Sequence, residues 1–362
     1  MKIQKTICPL AITLVFGATH QSMACTGITL TAKDASTVVA RTIDWSGSEM
    51  NNIYVVVPRG QKQQSLLPNG TYGGKKFTAK YGFVGLGVQQ PEFVVDGTNE
   101  MGLSAGLFYF PKYGKYRPYS ESLKEKSLAD FQVVSWILSQ FATIDELKAA
   151  IDGVQIINID PTASTTHWRI TEPNGHQVVM EIIDGVATFH ENPLGVLANA
   201  PDFTWQTTNL NSYVNLYPGT AKPQKFGPIT LQSFSGNTGM LGLPGDFSSP
   251  SRFVRAAFLK TTAIQQPNGY KTAMQSFHLL NNLDEPFGFD WAQGTATFDM
   301  PSATQWTIAS DITNRKIYYH TMYDRTIREI DMNKIDFTTV PFQYHPLDKN
   351  KQETVIPIKI DM

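Results

Sequence analysis

The 362-residue sequence predicts an α+β fold in which two sheets are sandwiched between helical layers. Three observations carry that prediction. Apolar, β-rich runs of strand length alternate with short Gly- and Pro-containing turns. Helical spacing is confined to two groups further along the chain. The resulting order of strands, helices, strands, helices, strands is the one expected of paired sheets with helices outside them. Hydrophobic residues make up 41% and charged residues 17%, which permits an ordinary globular enzyme.

The first stretch reads as an export signal. Lys2 and Lys5 form a basic start, Ile7 to Phe16 are mostly apolar, and Ser22-Met23-Ala24 gives the small-x-small pattern of a cleavage site. The apolar run is too short to span a bilayer. Residues 1–24 are therefore expected to be removed and 25–362 to form one domain, since no linker, internal repeat or low-complexity tract interrupts them. The formal net charge of −1 becomes about −3 without Lys2 and Lys5, and no basic patch for nucleic acid is present.

The elements follow in order. Cys25 to Thr31 and Ser36 to Trp45 are two β-rich runs across a polar turn at Lys33-Asp34, which predicts a hairpin. Asn52 to Pro58 is a further strand, and Phe93-Val94-Val95 with Leu103 to Phe110 predicts a hairpin turning at Asp96-Gly97. Leu128 to Phe141 has helical spacing, and Thr143-Ile144-Asp145-Glu146 is a capping box opening a second helix that ends at Gly153. Thr166 to Thr171 and Gln177 to Ile183 flank Pro173-Asn174-Gly175, another hairpin. Helices return at Ser251 to Thr262 and Lys271 to Asn281. Trp306 to Ser310 and Lys316 to Tyr323 close the pattern with a late hairpin.

Removing the signal discards Cys8 and leaves Cys25 as the first residue and the sole cysteine. An unpaired thiol in an oxidising compartment calls for an explanation. One reading is a small buried residue. A second is lipidation, yielding a non-catalytic secreted lipoprotein or binding protein. Lipoprotein signals place a Leu-like residue three positions before the cysteine, and here that residue is Ser22. The third is catalysis: thiol and freed α-amine belong to one residue, and an α-amine titrates near pH 7.7–8.0, about right for a general base.

Several strings carry a family resemblance. Cys25-Thr26-Gly27, Arg41-Thr42-Ile43-Asp44-Trp45, Asp96-Gly97-Thr98-Asn99-Glu100 with Gly102-Leu103, Asn199-Ala200-Pro201 and Gly242-Leu243-Pro244-Gly245-Asp246-Phe247 before Ser251-Arg252-Phe253 resemble the choloylglycine hydrolase and penicillin V acylase family. The likeness runs over nearly all of residues 25–362. It implies the four-layer αββα sandwich of N-terminal-nucleophile hydrolases and hydrolysis of an amide between a bulky acyl group and a small amine. It also implies a site of Cys25, Arg41, Asp44, Tyr109, Asn199 and Arg252. Cys25 is the nucleophile, Arg41 favours its thiolate, and Asp44 orients the α-amine. Asn199 and the Tyr109 backbone N–H form an oxyanion hole, and Arg252 completes the charge network.

Read on their own, these residues leave alternatives. Arg41 and Asp44, three apart in a strand, point to opposite faces, so one becomes a surface charge, and a bend or bulge would be needed to bring both to the cysteine. Asn199 before Ala200-Pro201 also suits the start of a turn, and the run Leu107 to Phe110 allows a neighbour of Tyr109 in its place. Arg252 near a helix start is poorly placed for the helix dipole, which suggests an anionic partner elsewhere. The histidines beyond residue 24 lack metal-ligand spacing, so neither metal nor cofactor is expected.

Trp45, Phe83, Phe108, Phe110 and Tyr113 offer aromatic surface for an apolar acyl group. The resemblance extends to bile salt, penicillin V and acyl-homoserine lactone substrates, and an aromatic residue at 109 leans towards the latter two. The signal points to the periplasm or secretion without a stable membrane anchor. The segment Gln206 to Leu243 resembles an arm that clasps neighbouring subunits into a homotetramer.

Overall fold

The computed structural model describes residues 23–45, 49–159, 164–288 and 303–360. Apart from the backbone of Met23 and Ala24, the expected signal at 1–24 lies outside the described residues. One sheet has six antiparallel strands, in spatial order Val196–Leu197, Met23–Thr31, Thr37–Trp45, Ala303–Asp311, Lys316–Thr321 and Arg328–Asp331. The other has eight: Val186–Glu191, Gln177–Ile183, Thr166–Thr171, Ser104–Tyr109, Val94–Asn99, Phe83–Gly87, Ile53–Val57 and Gln343–Pro346.

Helices Ser249–Thr262 and Gly269–Leu280 cover the outer face of the six-stranded sheet, and Val133–Gln140 packs on the outer face of the eight-stranded one. The expected αββα layering is therefore present. The expected N-cap forms, with Thr143 accepting from the Glu146 N–H at 3.2 Å, but the return bond of the box is shifted by one residue, Glu146 accepting from the Ala142 N–H at 2.7 Å.

Two elements differ from the sequence reading. Asp96-Gly97 is not a turn, because the strand Val94–Asn99 runs straight through it and the chain reverses at Glu100–Gly102 instead. Gly97 is needed there for close approach: a Cβ would lie 2.7 Å from the Val84 carbonyl oxygen and 2.9 Å from Leu138. The helix expected from Leu128 begins only at Val133. Ser127–Ala129 is drawn off as a short parallel strand beside Gln155–Ile157, and the Ala129 N–H is taken by the Ser65 hydroxyl.

Antiparallel partners share a face of the sheet, so the register decides what enters the space between the sheets. Gly27 lies opposite Arg41, and Cys25 opposite Ile43. A Cβ on Gly27 would sit 2.8 Å from Phe108 and 2.9 Å from the Arg169 guanidinium, so this glycine lets the eight-stranded sheet close over the N-terminal strand. Thr26 and Asp44 face the other way, towards helix Ser249–Thr262 and the Thr304 hydroxyl.

Candidate active site

Cys25 sits in the second strand from one edge of the six-stranded sheet, 1% exposed. Its backbone N–H donates to Asn199 Oδ1 at 2.8 Å. Asn199 follows the edge strand Val196–Leu197, which pairs with the N-terminal strand and so delivers the amide to the cysteine. Oδ1 also accepts from Arg252 Nη2 at 2.7 Å, and Nδ2 donates to the Tyr109 carbonyl at 2.8 Å. Two donors on one side and a carbonyl on the other fix the orientation of the amide and leave one Nδ2 proton for another acceptor.

Arg252 is 1% exposed and reaches from its helix into the sheet. Nη1 donates to the Cys25 carbonyl at 2.6 Å and to Thr26 Oγ1 at 2.5 Å, and Nε to the Phe247 carbonyl at 2.9 Å. Its direct partners among the described residues are all neutral, and none of them is an anion. The cation acts on Asp44 through space, pulling that carboxyl down.

Arg41 and Asp44 do point to opposite faces, as strand periodicity requires, yet neither is a surface charge: both are fully buried. The strand lies between two layers, so each face is an interior. Arg41 lies over the Phe108 ring at 4.1 Å. It donates to the carbonyls of Leu107, Thr42 (3.1 Å) and Val95 (3.4 Å), with Asp96 at 4.0 Å. Asp44 accepts from Thr304 Oγ1 at 2.5 Å and Thr42 Oγ1 at 3.3 Å. In the unprocessed chain the Cys25 nitrogen is a peptide amide with one N–H, and that N–H donates to Asn199.

Burial pushes the Cys25 thiol up; Arg41 and then Arg252 pull it down, while Asp44 opposes them. Burial wins, so the thiol rests neutral. Asp44 is held well above the usual carboxylate range by burial first and by Glu285 second, against Arg252 and the Thr304 hydroxyl.

Sequence reasoning missed the role of Asp96. It is buried between Arg169, at 3.2 Å, and Arg41, and both guanidinium groups lie within 6 Å of the Phe108 ring. The signal was present as a charged residue inside a β-rich run. The aromatic expectation also needs correction. Phe83, Phe108 and Phe110 are wholly buried and Trp45 nearly so, because they fill the core around the charges; only Tyr113, 41% exposed, offers open surface. Among the described residues no cluster of three metal-ligating side chains occurs, and no helix is long and apolar enough to cross a membrane.

Comparison with known proteins places this geometry. The family model described as linear amide C-N hydrolases, choloylglycine hydrolase family, matches residues 25–355. A bile salt hydrolase/transferase of Clostridium perfringens is 32% identical over 319 residues, 86% of this chain and 93% of that protein. One from Lactiplantibacillus plantarum is 29% identical over 280 residues, 75% and 84% of the two chains. A solved variant of the conjugated bile acid hydrolase of Clostridium perfringens superposes with a TM-score of 0.78 at 28% identity, over 92% of this chain and all of that one. Penicillin V acylase of Agrobacterium tumefaciens shares the fold, with a TM-score of 0.68 at 23% identity over 88% and 90% of the chains.

Proposed function

The chain belongs to the choloylglycine hydrolase family of linear amide C–N hydrolases, and from that premise we propose that it is an amidase whose nucleophile is the processed N-terminal Cys25. Cleavage after Ala24 converts the Cys25 nitrogen from an amide, which cannot take a proton, into an amine that can. The family match begins at Cys25, which supports processing at that bond. The enzyme is exported, to the periplasm or beyond, as residues 25–362.

The observation that carries the reading is the Asn199 amide, which binds the Cys25 nitrogen and still has a donor to give. The α-amine takes the thiol proton, and the thiolate attacks the substrate carbonyl. The free Asn199 N–H and the Tyr109 backbone N–H receive the developing oxyanion. The amine returns its proton to the leaving nitrogen, and water then releases the acid from the thioester. Arg41 and Arg252 lower the cost of the thiolate. Once it holds the thiol proton, the amine also adds a positive charge towards Asp44, a carboxyl that burial and Glu285 otherwise hold up.

The relatives favour conjugated bile salts as substrates, with the acyl half supplying most of the affinity at about 25 cal/mol per Å² of apolar area buried. The aromatic Tyr109 keeps penicillin V and long-chain acyl-homoserine lactones in the comparison. The segment around strands Gln224–Phe226 and Ile229–Leu231 exposes Phe226, Ile229, Leu231 and Phe234, apolar surface that suits a subunit-clasping arm and a homotetramer.

The test is mass spectrometry of the exported N-terminus, followed by hydrolysis of glycocholate, taurocholate, penicillin V and a long-chain acyl-homoserine lactone by wild type and Cys25→Ala. A free Cys25 and loss of nearly all activity in the variant are expected. An acylated Cys25, or activity within about tenfold of wild type, a barrier change of roughly 1.4 kcal/mol, defeats the reading.

A further inference from the structure

His167 is fully buried between the sheets and has an acceptor on each side. Nε2 lies 3.0 Å from the Ala198 carbonyl, and Nδ1 lies 3.0 Å from Glu181 Oε1. A carbonyl only accepts, so Nε2 carries the proton there. Glu181 Oε1 accepts from the Phe203 N–H at 3.0 Å, and His190 Nε2 stands 3.5 Å from Oε2. The imidazole ring stacks on Phe110, with centroids 4.4 Å apart and planes 7° from parallel, and meets Phe108 edge-on. Those contacts fix its plane.

Ala198 immediately precedes Asn199. The Asn199 N–H is held by Ser249 Oγ at 2.9 Å, and Gln206 Nε2 donates to the same hydroxyl at 3.2 Å. The backbone that carries the amide is thus gripped on one side from the helix layer and on the other from the eight-stranded sheet. His167 supplies the second grip. It spans the inter-sheet space from strand Thr166–Thr171 to the segment leaving the edge strand Val196–Leu197.

We propose that His167, locked by Glu181, is a positioning residue that aims the Asn199 side chain at the substrate oxyanion by holding the Ala198 carbonyl. The proposal rests on Asn199 being an oxyanion donor. A displaced donor still allows substrate to bind but stabilises the transition state less, so the effect falls on kcat rather than KM.

Five variants test it in the processed enzyme, with kcat, KM and the rate of Cys25 alkylation by iodoacetamide as readouts. His167→Phe keeps the stack and removes the donor. It is expected to lower kcat about thirtyfold or more, short of the roughly 10²–10³ of losing an oxyanion donor outright, with KM and alkylation within about threefold. His167→Gln, whose amide N–H reaches the Nε2 position, should recover to within about fivefold of wild type. Glu181→Gln keeps the shape if the phenylalanine variant fails to fold, and should lower kcat about tenfold. The pair His167→Phe with Asn199→Ala should be no slower than Asn199→Ala alone, within about twofold, because both act through one group.

An unchanged kcat in His167→Phe, a multiplicative loss in the double variant, or alkylation falling in step with kcat overturns the proposal. If Asn199→Ala itself keeps wild-type kcat, the oxyanion reading is what has failed. If Asn199→Ala is slow and His167→Phe is not, only the positioning role has failed.

Discussion

Replacing Arg252 by lysine keeps the charge and most of the length but removes the fork. The guanidinium donates four hydrogen bonds, to Phe247, Cys25, Thr26 and Asn199, from three nitrogens in one plane. An ammonium is a point donor on a flexible stem and can satisfy about two of those four acceptors at once. Hydrogen bonds to a charged group contribute about 1.5–3 kcal/mol each. Losing two at the lower end costs about 3 kcal/mol, a large share of the roughly 5–15 kcal/mol typical of a folded protein. The assay is urea unfolding of the processed protein: the midpoint falls while the slope stays constant, so that stability rather than compactness has changed. The same samples are assayed for kcat, which falls because Asn199 loses the donor that holds its Oδ1. An Arg252→Lys protein within about 0.5 kcal/mol of wild type refutes the claim that the fork, and not the bare charge, ties helix Ser249–Thr262 to the N-terminal strand.

Three further outcomes follow from the geometry. A variant left with Met-Ala before Cys25, confirmed uncleaved by mass spectrometry, should fold and show no amidase turnover; full activity means that another base serves. Arg41→Met removes the strongest downward pull on the Cys25 thiol, so iodoacetamide labelling should require a higher pH than in wild type, and an unchanged labelling profile dismisses that pairing. Gly27→Ala should destabilise by about 1–3 kcal/mol in thermal unfolding, because the new methyl lies 2.8 Å from Phe108 in a packed layer; an unshifted transition contradicts the sheet-to-sheet contact.

Much of the fold could be read from turns and runs. Lys33-Asp34 and Pro173-Asn174-Gly175 mark real hairpins because turn chemistry is local. Asp96-Gly97 misled because the same dipeptide also suits two strands approaching without side chains, and that depends on Gly85 across the sheet. The placement of Arg41 and Asp44 was half legible. Period two assigns them to opposite faces, but one strand cannot reveal that both faces are interior. His167 and Glu181 left a trace that went unused. His167 to Thr171 alternates polar and apolar residues, and the register with Gln177–Ile183 sets His167, Arg169 and Thr171 on one face with Gln177, Val179 and Glu181. That face looks inward at the other sheet rather than out at water, a distinction that only the layering supplies. The buried aromatics were unreadable for a similar reason, since nearness in sequence to a reactive group says nothing about which ring borders a cleft.

The N-terminal strand begins at Met23, and its ladder with the next strand already includes Met23 opposite Trp45 and Ala24 opposite Asp44. The Ala24–Cys25 bond is therefore a rung inside a finished sheet. A peptidase reads extended, unpaired chain, and once this rung has formed the bond is closed to it. On the proposed removal of residues 1–24, processing and folding are ordered in time: the leader must leave while the strand is still loose, and a chain that folds first is trapped in a native-like shape with its amine still masked. Slowing translocation, or speeding the closure of the first hairpin, would lower the yield of competent enzyme without lowering the yield of folded protein.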